Sequence, residues 1–152
     1  MKLKVGDKVP SFETKDQDGS LITNQQLLGK KWIVYFYPKD LTPGCTWQAC
    51  SLRDGYDAIR KLGFHVLGVS MDNEKLHQRF REKKNLPFPL LADVEKNMIE
   101  AFGVWGPKKF MGRTYDGIHR TTFVINEQGI ITHIIEKPNT KNHAEELIQF
   151  LK

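Results

Sequence analysis

The sequence predicts an α/β fold, a central mixed β-sheet with helices on both faces, and three observations carry that prediction. Residues 32–37 and Phe64–Ser70 are apolar runs rich in β-formers and without alternation, the pattern of strands covered on both faces. Between them lies a stretch whose apolar residues recur every three or four positions, so the middle of the chain reads as β-α-β. The 152 residues are 39% hydrophobic and 27% charged, enough for one compact domain with a substantial core, so 1–152 is expected to be a single domain.

Residues 11–14 and Leu21–Thr23 flank Asp16-Gln17-Asp18-Gly19, a turn-forming cluster, and predict an N-terminal β-hairpin extension. Asn24 can cap a short helical piece that ends near Gly29. The run 32–37 should lie at the centre of the sheet. Pro43 and Gly44 oppose helix formation, whereas 45–61 places Ala49, Leu52, Tyr56 and Ile59 on one face of a helix that Gly63 ends. After the strand at Phe64–Ser70, Asp72 or Asn73 can cap a helix reaching about Lys84, and the prolines at 87 and 89 favour an extended return. Residues 94–102 suit a short helix.

Thr121–Ile125 and 130–135, separated by Asn126-Glu127-Gln128-Gly129, form a second hairpin, and 142–151 is amphipathic with Leu147, Ile148 and Leu151 inward. The order β-α-β, connecting helix, β-β-α is that of a thioredoxin-like fold. The segment 103–120 contains Gly106-Pro107, Gly112 and Gly117 and few regularly spaced apolar residues. It reads as a long irregular connection, expected to lie over the active site or lead into it.

The formal net charge of +5 raises the possibility of a non-catalytic basic module, for instance one binding nucleic acid. The basic residues are interleaved with acidic ones, as in 74–84, which is the habit of a solvated helix face, and no recognised nucleic-acid motif is present. No run approaches the roughly 18 apolar residues of a membrane span. Met1-Lys2-Leu3-Lys4 leads into Val5-Gly6-Asp7 rather than an apolar signal region, so a soluble, cytoplasmic protein with no membrane partner is expected. His65, His77, His119, His133 and His143 have no spacing that joins them to the cysteines as a metal site, so no metal or cofactor is expected.

Both cysteines, Cys45 and Cys50, follow the central strand in the stretch Tyr37-Pro38-Lys39-Asp40-Leu41-Thr42-Pro43-Gly44-Cys45-Thr46-Trp47-Gln48-Ala49-Cys50. Two cysteines five apart make a weak structural staple, and in a cytosolic chain such a pair points to catalysis, redox sensing or metal binding. A thiol where a strand hands over to a helix sits at the positive end of a row of peptide dipoles, which favours thiolate. Cys45 stands in the first turn and Cys50 a turn or more inside, so Cys45 is the attacking sulfur. In a wound helix, Cα atoms five residues apart are roughly 8.7 Å from one another, beyond the ~7 Å limit of a disulfide. Should the two sulfurs bond, at least the first turn of the helix must open. Taken alone, Cys50 could be a small buried hydrophobe, and Thr42 could equally be a turn residue or helix cap and Arg120 a surface arginine before a strand.

Pro38 to Cys45 fits the pattern Pro, three residues, Thr, two residues, Cys, and so resembles the peroxiredoxin family. The following Cys50 resembles its bacterioferritin comigratory protein, or peroxiredoxin Q, branch. Asp16-Gln17-Asp18-Gly19, Val34-Tyr35-Phe36-Tyr37-Pro38-Lys39, Arg53-Asp54, Phe102-Gly103-Val104-Trp105-Gly106 and 115–125 are similar to that branch in the same order. The resemblance implies that Cys45 attacks the terminal oxygen of hydrogen peroxide or an organic hydroperoxide and becomes a sulfenic acid. It also implies that Thr42 holds the sulfur and the incoming oxygen, Pro43 covers the sulfur, and Arg120 supplies fixed positive charge. Cys50 would resolve the sulfenic acid as an intramolecular disulfide, recycled by thioredoxin or a similar dithiol, in a monomer. Gln48 stands where the wider family commonly has Glu and is left outside the assignment. A thiol-disulfide oxidoreductase and a one-cysteine peroxidase with Cys50 structural are the alternatives.

Overall fold

The computed structural model describes residues 3–151; Met1, Lys2 and Lys152, the ends of the expected 1–152 domain and part of the expected leader-free start, lie outside the described residues. In chain order the elements are β1 (Glu13–Asp16), β2 (Leu21–Thr23), α1 (Asn24–Leu27), β3 (Lys31–Phe36), α2 (Pro43–Asp54), α3 (Tyr56–Lys61), β4 (Phe64–Ser70) and α4 (Glu74–Lys84). They continue with β5 (Leu90–Ala92), α5 (Asn97–Ala101), β6 (Trp105–Phe110), β7 (Arg113–Ile118), β8 (Thr121–Ile125), β9 (Ile131–Ile135) and α6 (His143–Leu151).

Seven strands form one mixed sheet in the order β2-β1-β5-β4-β3-β8-β9. β3 runs parallel to β4 and antiparallel to β8, and β1 joins the sheet by pairing antiparallel with β5. Because β3 is flanked on both edges and covered on both faces, its side chains alternate between two cores rather than between core and water. Ile33, Tyr35 and Tyr37 enter a core with Ala49 and Leu52 of α2, Ile59 of α3, Phe80 of α4 and Leu147 of α6. Val34 and Phe36 enter the other, with Leu27 of α1, Met98 and Ile99 of α5, and Phe102 and Phe123. This is the predicted thioredoxin-like α/β architecture. β3 is interior as expected, although β4 rather than β3 is the middle strand of the seven.

Three local expectations need correction. The expected single helix over 45–61 is two helices that meet at Gly55, where α6 packs so closely that a Cβ would stand 2.5 Å from the Ala144 Cβ. α2 begins at Pro43 rather than Cys45, because the residue lacking an N–H sits at N1, where no helical donor is required. The segment 103–120 is not irregular: β6 and β7 form an antiparallel hairpin whose two-residue loop, Met111 and Gly112, has φ of 51° and 80°. Positive φ at both loop residues matches the strand twist in such tight hairpins.

Candidate active site

Cys45 lies in the first turn of α2, and its position begins with the turn that precedes the helix. Tyr37 leaves β3 on the face that carries α2, and the chain reverses through Lys39 to Thr42. Leu41 holds a φ of 64°, unfavourable for a side-chain-bearing residue, while the Thr42 hydroxyl donates to the Lys39 carbonyl at 2.7 Å. Thr42 is the N-cap of α2 but makes no side-chain cap bond. The first helical hydrogen bond is donated by the Thr46 N–H to the Thr42 carbonyl at 2.8 Å, so the Gly44 and Cys45 amides have no partner within the helix. Those amides and the helix dipole put partial positive charge at the helix start, where Cys45 lies.

Arg120 reaches the same sulfur from far along the chain, at the start of β8, which is paired to β3. Its Nη2 is 3.3 Å from the Cys45 Sγ, and its Nη1 donates to the Gln48 Oε1 at 2.7 Å. A guanidinium only donates, so the Gln48 amide must present its oxygen to Arg120, and its Nε2 is left buried without a partner. Gln48 was left aside by the sequence reading; its spacing of three from Cys45, one turn along the same helix face, is the signal that could have included it. A Cβ on Gly44 would stand 3.4 Å from Arg120 Nη2, so only a residue without a side chain leaves the guanidinium its full room.

Cys45 is 1% exposed, Pro43 is exposed and Cys50 is half-buried; both thiols are free. Both belong to the wound helix α2, which holds the two apart. Tyr35 lies behind the sulfur in the same core, with its hydroxyl buried and unpartnered. Burial pushes the Tyr35 phenol well up, and the charges of Cys45 and Asp40 push it further, so it stays neutral. Lys108 on β6 donates to the Ile118 carbonyl at 2.9 Å, and partial burial, with the Arg120 charge, lowers its pKa.

The structure therefore gathers Thr42, Pro43, Cys45 and Arg120 around one helix start and keeps Cys50 inside the helix. Trp105 does not line that point but a neighbouring cavity of about 450 Å³, together with His119 and Thr121, the residues on either side of Arg120. Tyr37 is fully buried and donates to Asp40 Oδ1 at 2.6 Å. Two of the five histidines make buried hydrogen bonds. His77 is buried against Asp40 at 2.6 Å, and His143 bridges Thr122 and Glu146 at 2.8 Å each.

The sequence profile of the AhpC/TSA family matches residues 5–134. Peroxiredoxin Bcp of Escherichia coli is 48% identical over 150 residues, covering 99% of this chain and 96% of that protein. A Cys-to-Ser variant of Xylella fastidiosa PrxQ superposes with a TM-score of 0.92 at 27% identity, covering 99% of this chain and 96% of that one. Xanthomonas campestris bacterioferritin comigratory protein, described in work on its alkyl peroxide reduction activity, superposes with a TM-score of 0.86 at 31% identity, covering 92% and 89%. With the profile matched over most of its length and 48% identity to Bcp across nearly the whole of both chains, the chain belongs to the AhpC/TSA family, in its Bcp branch of the peroxiredoxins.

Proposed function

We propose that this chain is a thiol peroxidase that reduces hydrogen peroxide and organic hydroperoxides at Cys45. The observation that carries the reading is the Arg120 guanidinium 3.3 Å from a buried sulfur at a helix start, where a fixed cation and free amides both favour thiolate. The thiolate attacks the terminal oxygen of the hydroperoxide, the O–O bond breaks, and the leaving oxygen departs with a proton as water or alcohol. Arg120 stabilises the charge that moves from sulfur to leaving oxygen. The Thr42 hydroxyl gives its hydrogen to Lys39 and keeps its lone pairs for the proton of the incoming hydroperoxide. Pro43 limits access from solvent.

Cys45 sulfenic acid then condenses with Cys50, forming the disulfide and releasing water, and an external dithiol of the thioredoxin type reduces it. An intramolecular resolver on the same helix needs no second subunit, which supports a monomer of one domain over 1–152. Among the described residues no helix is long and apolar enough to cross a membrane. Two free thiols with a cycle that needs a dithiol donor suit the cytoplasm.

Intact mass before and after one equivalent of peroxide tests the cycle. The wild type is expected to lose about 2 Da as the disulfide forms. Cys50→Ser gains about 16 Da as sulfenic acid, and Cys45→Ser does not react. Wild-type peroxide consumption by Cys45→Ser would overturn the reading. Retained turnover by Cys50→Ser with an external thiol would restrict the protein to one-cysteine chemistry. Insulin reduction without peroxide would indicate a thiol-disulfide oxidoreductase.

A further inference from the structure

Behind the turn that precedes α2 lies a buried polar cluster for which the reaction as described has no use. Asp40 Oδ1 accepts from the Tyr37 hydroxyl and Asp40 Oδ2 contacts His77 Nδ1, both at 2.6 Å. His77 Nε2 meets the Leu91 carbonyl at 2.9 Å. The Asp40 N–H donates to Asp72 Oδ2 at 2.8 Å, and that oxygen also accepts the Ser70 hydroxyl at 2.7 Å. The side chains of His77 and Asp40 are 0% and 1% exposed. The ends of β3, β4 and β5 and the first half of α4 thus converge on Asp40.

Hydrogen-bond chemistry fixes the protons. A carbonyl oxygen only accepts, so His77 Nε2 must carry a hydrogen towards Leu91. At 2.6 Å, two lone pairs facing each other across His77 Nδ1 and Asp40 Oδ2 would repel, so a second proton lies between them. Asp40, Asp72 and His77 do offer ligand atoms within 4.8 Å of one another. Both oxygens of Asp40, both ring nitrogens of His77 and Asp72 Oδ2 already have hydrogen-bond partners, so a cation ligated by His77 and Asp40 would have to displace the proton between them.

We propose that Asp40 and His77 are positioning residues for Cys45, which through this shared proton hold the 39–42 turn in the conformation that aims α2 at Arg120. Leu41 sits in a left-handed conformation that the turn alone does not favour, and Thr42, its neighbour, is the N-cap of α2. Arg120 approaches from β8, on the opposite side of β3 from β4. The 3.3 Å contact between Arg120 and Cys45 therefore depends on an anchor in one half of the sheet holding a turn against a cation in the other. The same anchor sets where motion stops: residues 46–50 can unwind for the disulfide while 38–42 stays fixed to β4, β5 and α4.

The inference rests on the peroxidase reading, and its test separates the two. Asp40→Asn retains every contact, its Oδ1 accepting from Tyr37 and its amide donating to a neutral His77, and is expected to react with peroxide within about threefold of wild type. Asp40→Ala and His77→Gln, of which the latter keeps a donor for Leu91 and loses the contact with Asp40, are expected to slow Cys45 oxidation about tenfold or more by stopped-flow. Circular dichroism checks that each variant is folded at the assay temperature, and His77→Gln keeps the test open if Asp40→Ala does not fold. Independently of activity, ¹⁵N-histidine spectra of the wild type should show both His77 nitrogens protonated or sharing a proton, with a downfield, slowly exchanging Hδ1. Folded Asp40→Ala or His77→Gln reacting at the wild-type rate would overturn the proposal, as would Asp40→Asn falling as far as Asp40→Ala. An unprotonated His77 Nδ1 in the wild type would overturn it too. A wild type inert to peroxide but with the Hδ1 signal present would instead overturn the peroxidase reading.

Discussion

Arg120 makes two directional contacts, one to sulfur and one to an amide oxygen, and the planar fork of a guanidinium lets one side chain do both. Arg120→Met should therefore lower the second-order rate of Cys45 oxidation by about 100-fold, and Arg120→Lys should recover only part of it, because a point charge cannot face both groups. Gln48→Leu removes the orienting contact while leaving the cation in place. The expected loss is smaller, about tenfold, and stopped-flow peroxide kinetics separates it from Arg120→Met. His143 carries a different prediction. Burial holds its pKa below the ordinary value of 6.5, although Glu146 opposes that shift. The folded state thus binds a proton less readily than the unfolded chain. Stability from this residue is complete above pH 6.5 and is lost as pH falls through the depressed folded value. In urea melts between pH 7.5 and 5, His143→Gln should lose stability less steeply than wild type. His65, also lowered mainly by burial, leaves a remnant of the slope in the variant.

At the scale of elements, the proposed cycle requires α2 to change shape. Cys45 and Cys50 share its wound turns, so a disulfide between them requires part of the helix to unwind, and Thr46 to Cys50 is the part expected to move. Hydrogen exchange should show their amides losing protection after one equivalent of peroxide, while amides of β3 and β4 keep theirs. Unchanged protection of residues 46–50 in disulfide-bonded protein would contradict this. The break between α2 and α3 makes room for α6, where Gly55 meets Ala144. Gly55→Ala should cost about 1–3 kcal/mol in urea unfolding, because the added methyl must push α6 away. That break was hidden in the sequence, since Ala49, Leu52, Tyr56 and Ile59 keep their spacing straight through it. The β6–β7 hairpin was hidden for the opposite reason. Most of its side chains face water, so it shows no alternation, and Met111-Gly112 is not a familiar hairpin signal.

In the molecule as a whole, two cores on the two faces of one sheet do separate work. The core with Tyr35, Ala49 and Leu52 supports α2 and the reacting sulfur, while the core with Phe36, Phe102 and Phe123 supports β8, from which Arg120 emerges. β3 contributes to both and keeps the two halves of the site in register. The architecture could be read from the sequence because apolar runs and helical spacing are local properties that burial on a sheet requires. The chemical identity of the site was local as well: a thiol after Pro-Gly, at a strand-to-helix turn, is visible within fourteen residues. The assembly of the site was not. Arg120 and Cys45 are 75 residues apart, and Asp40 and His77 are 37 apart. Nothing in the spacing of such residues records that pairing of β3 with β8 and the packing of α4 bring them within hydrogen-bond distance. The sequence by itself, with the family resemblance it carries, singled out Cys45 as the candidate reacting atom, named Arg120 as its cation and showed that a wound helix forbids a disulfide with Cys50. Only the tertiary structure decided that this cation meets that sulfur and that a buried polar cluster lies behind its turn, because contacts across a sheet are set by the packing of distant segments.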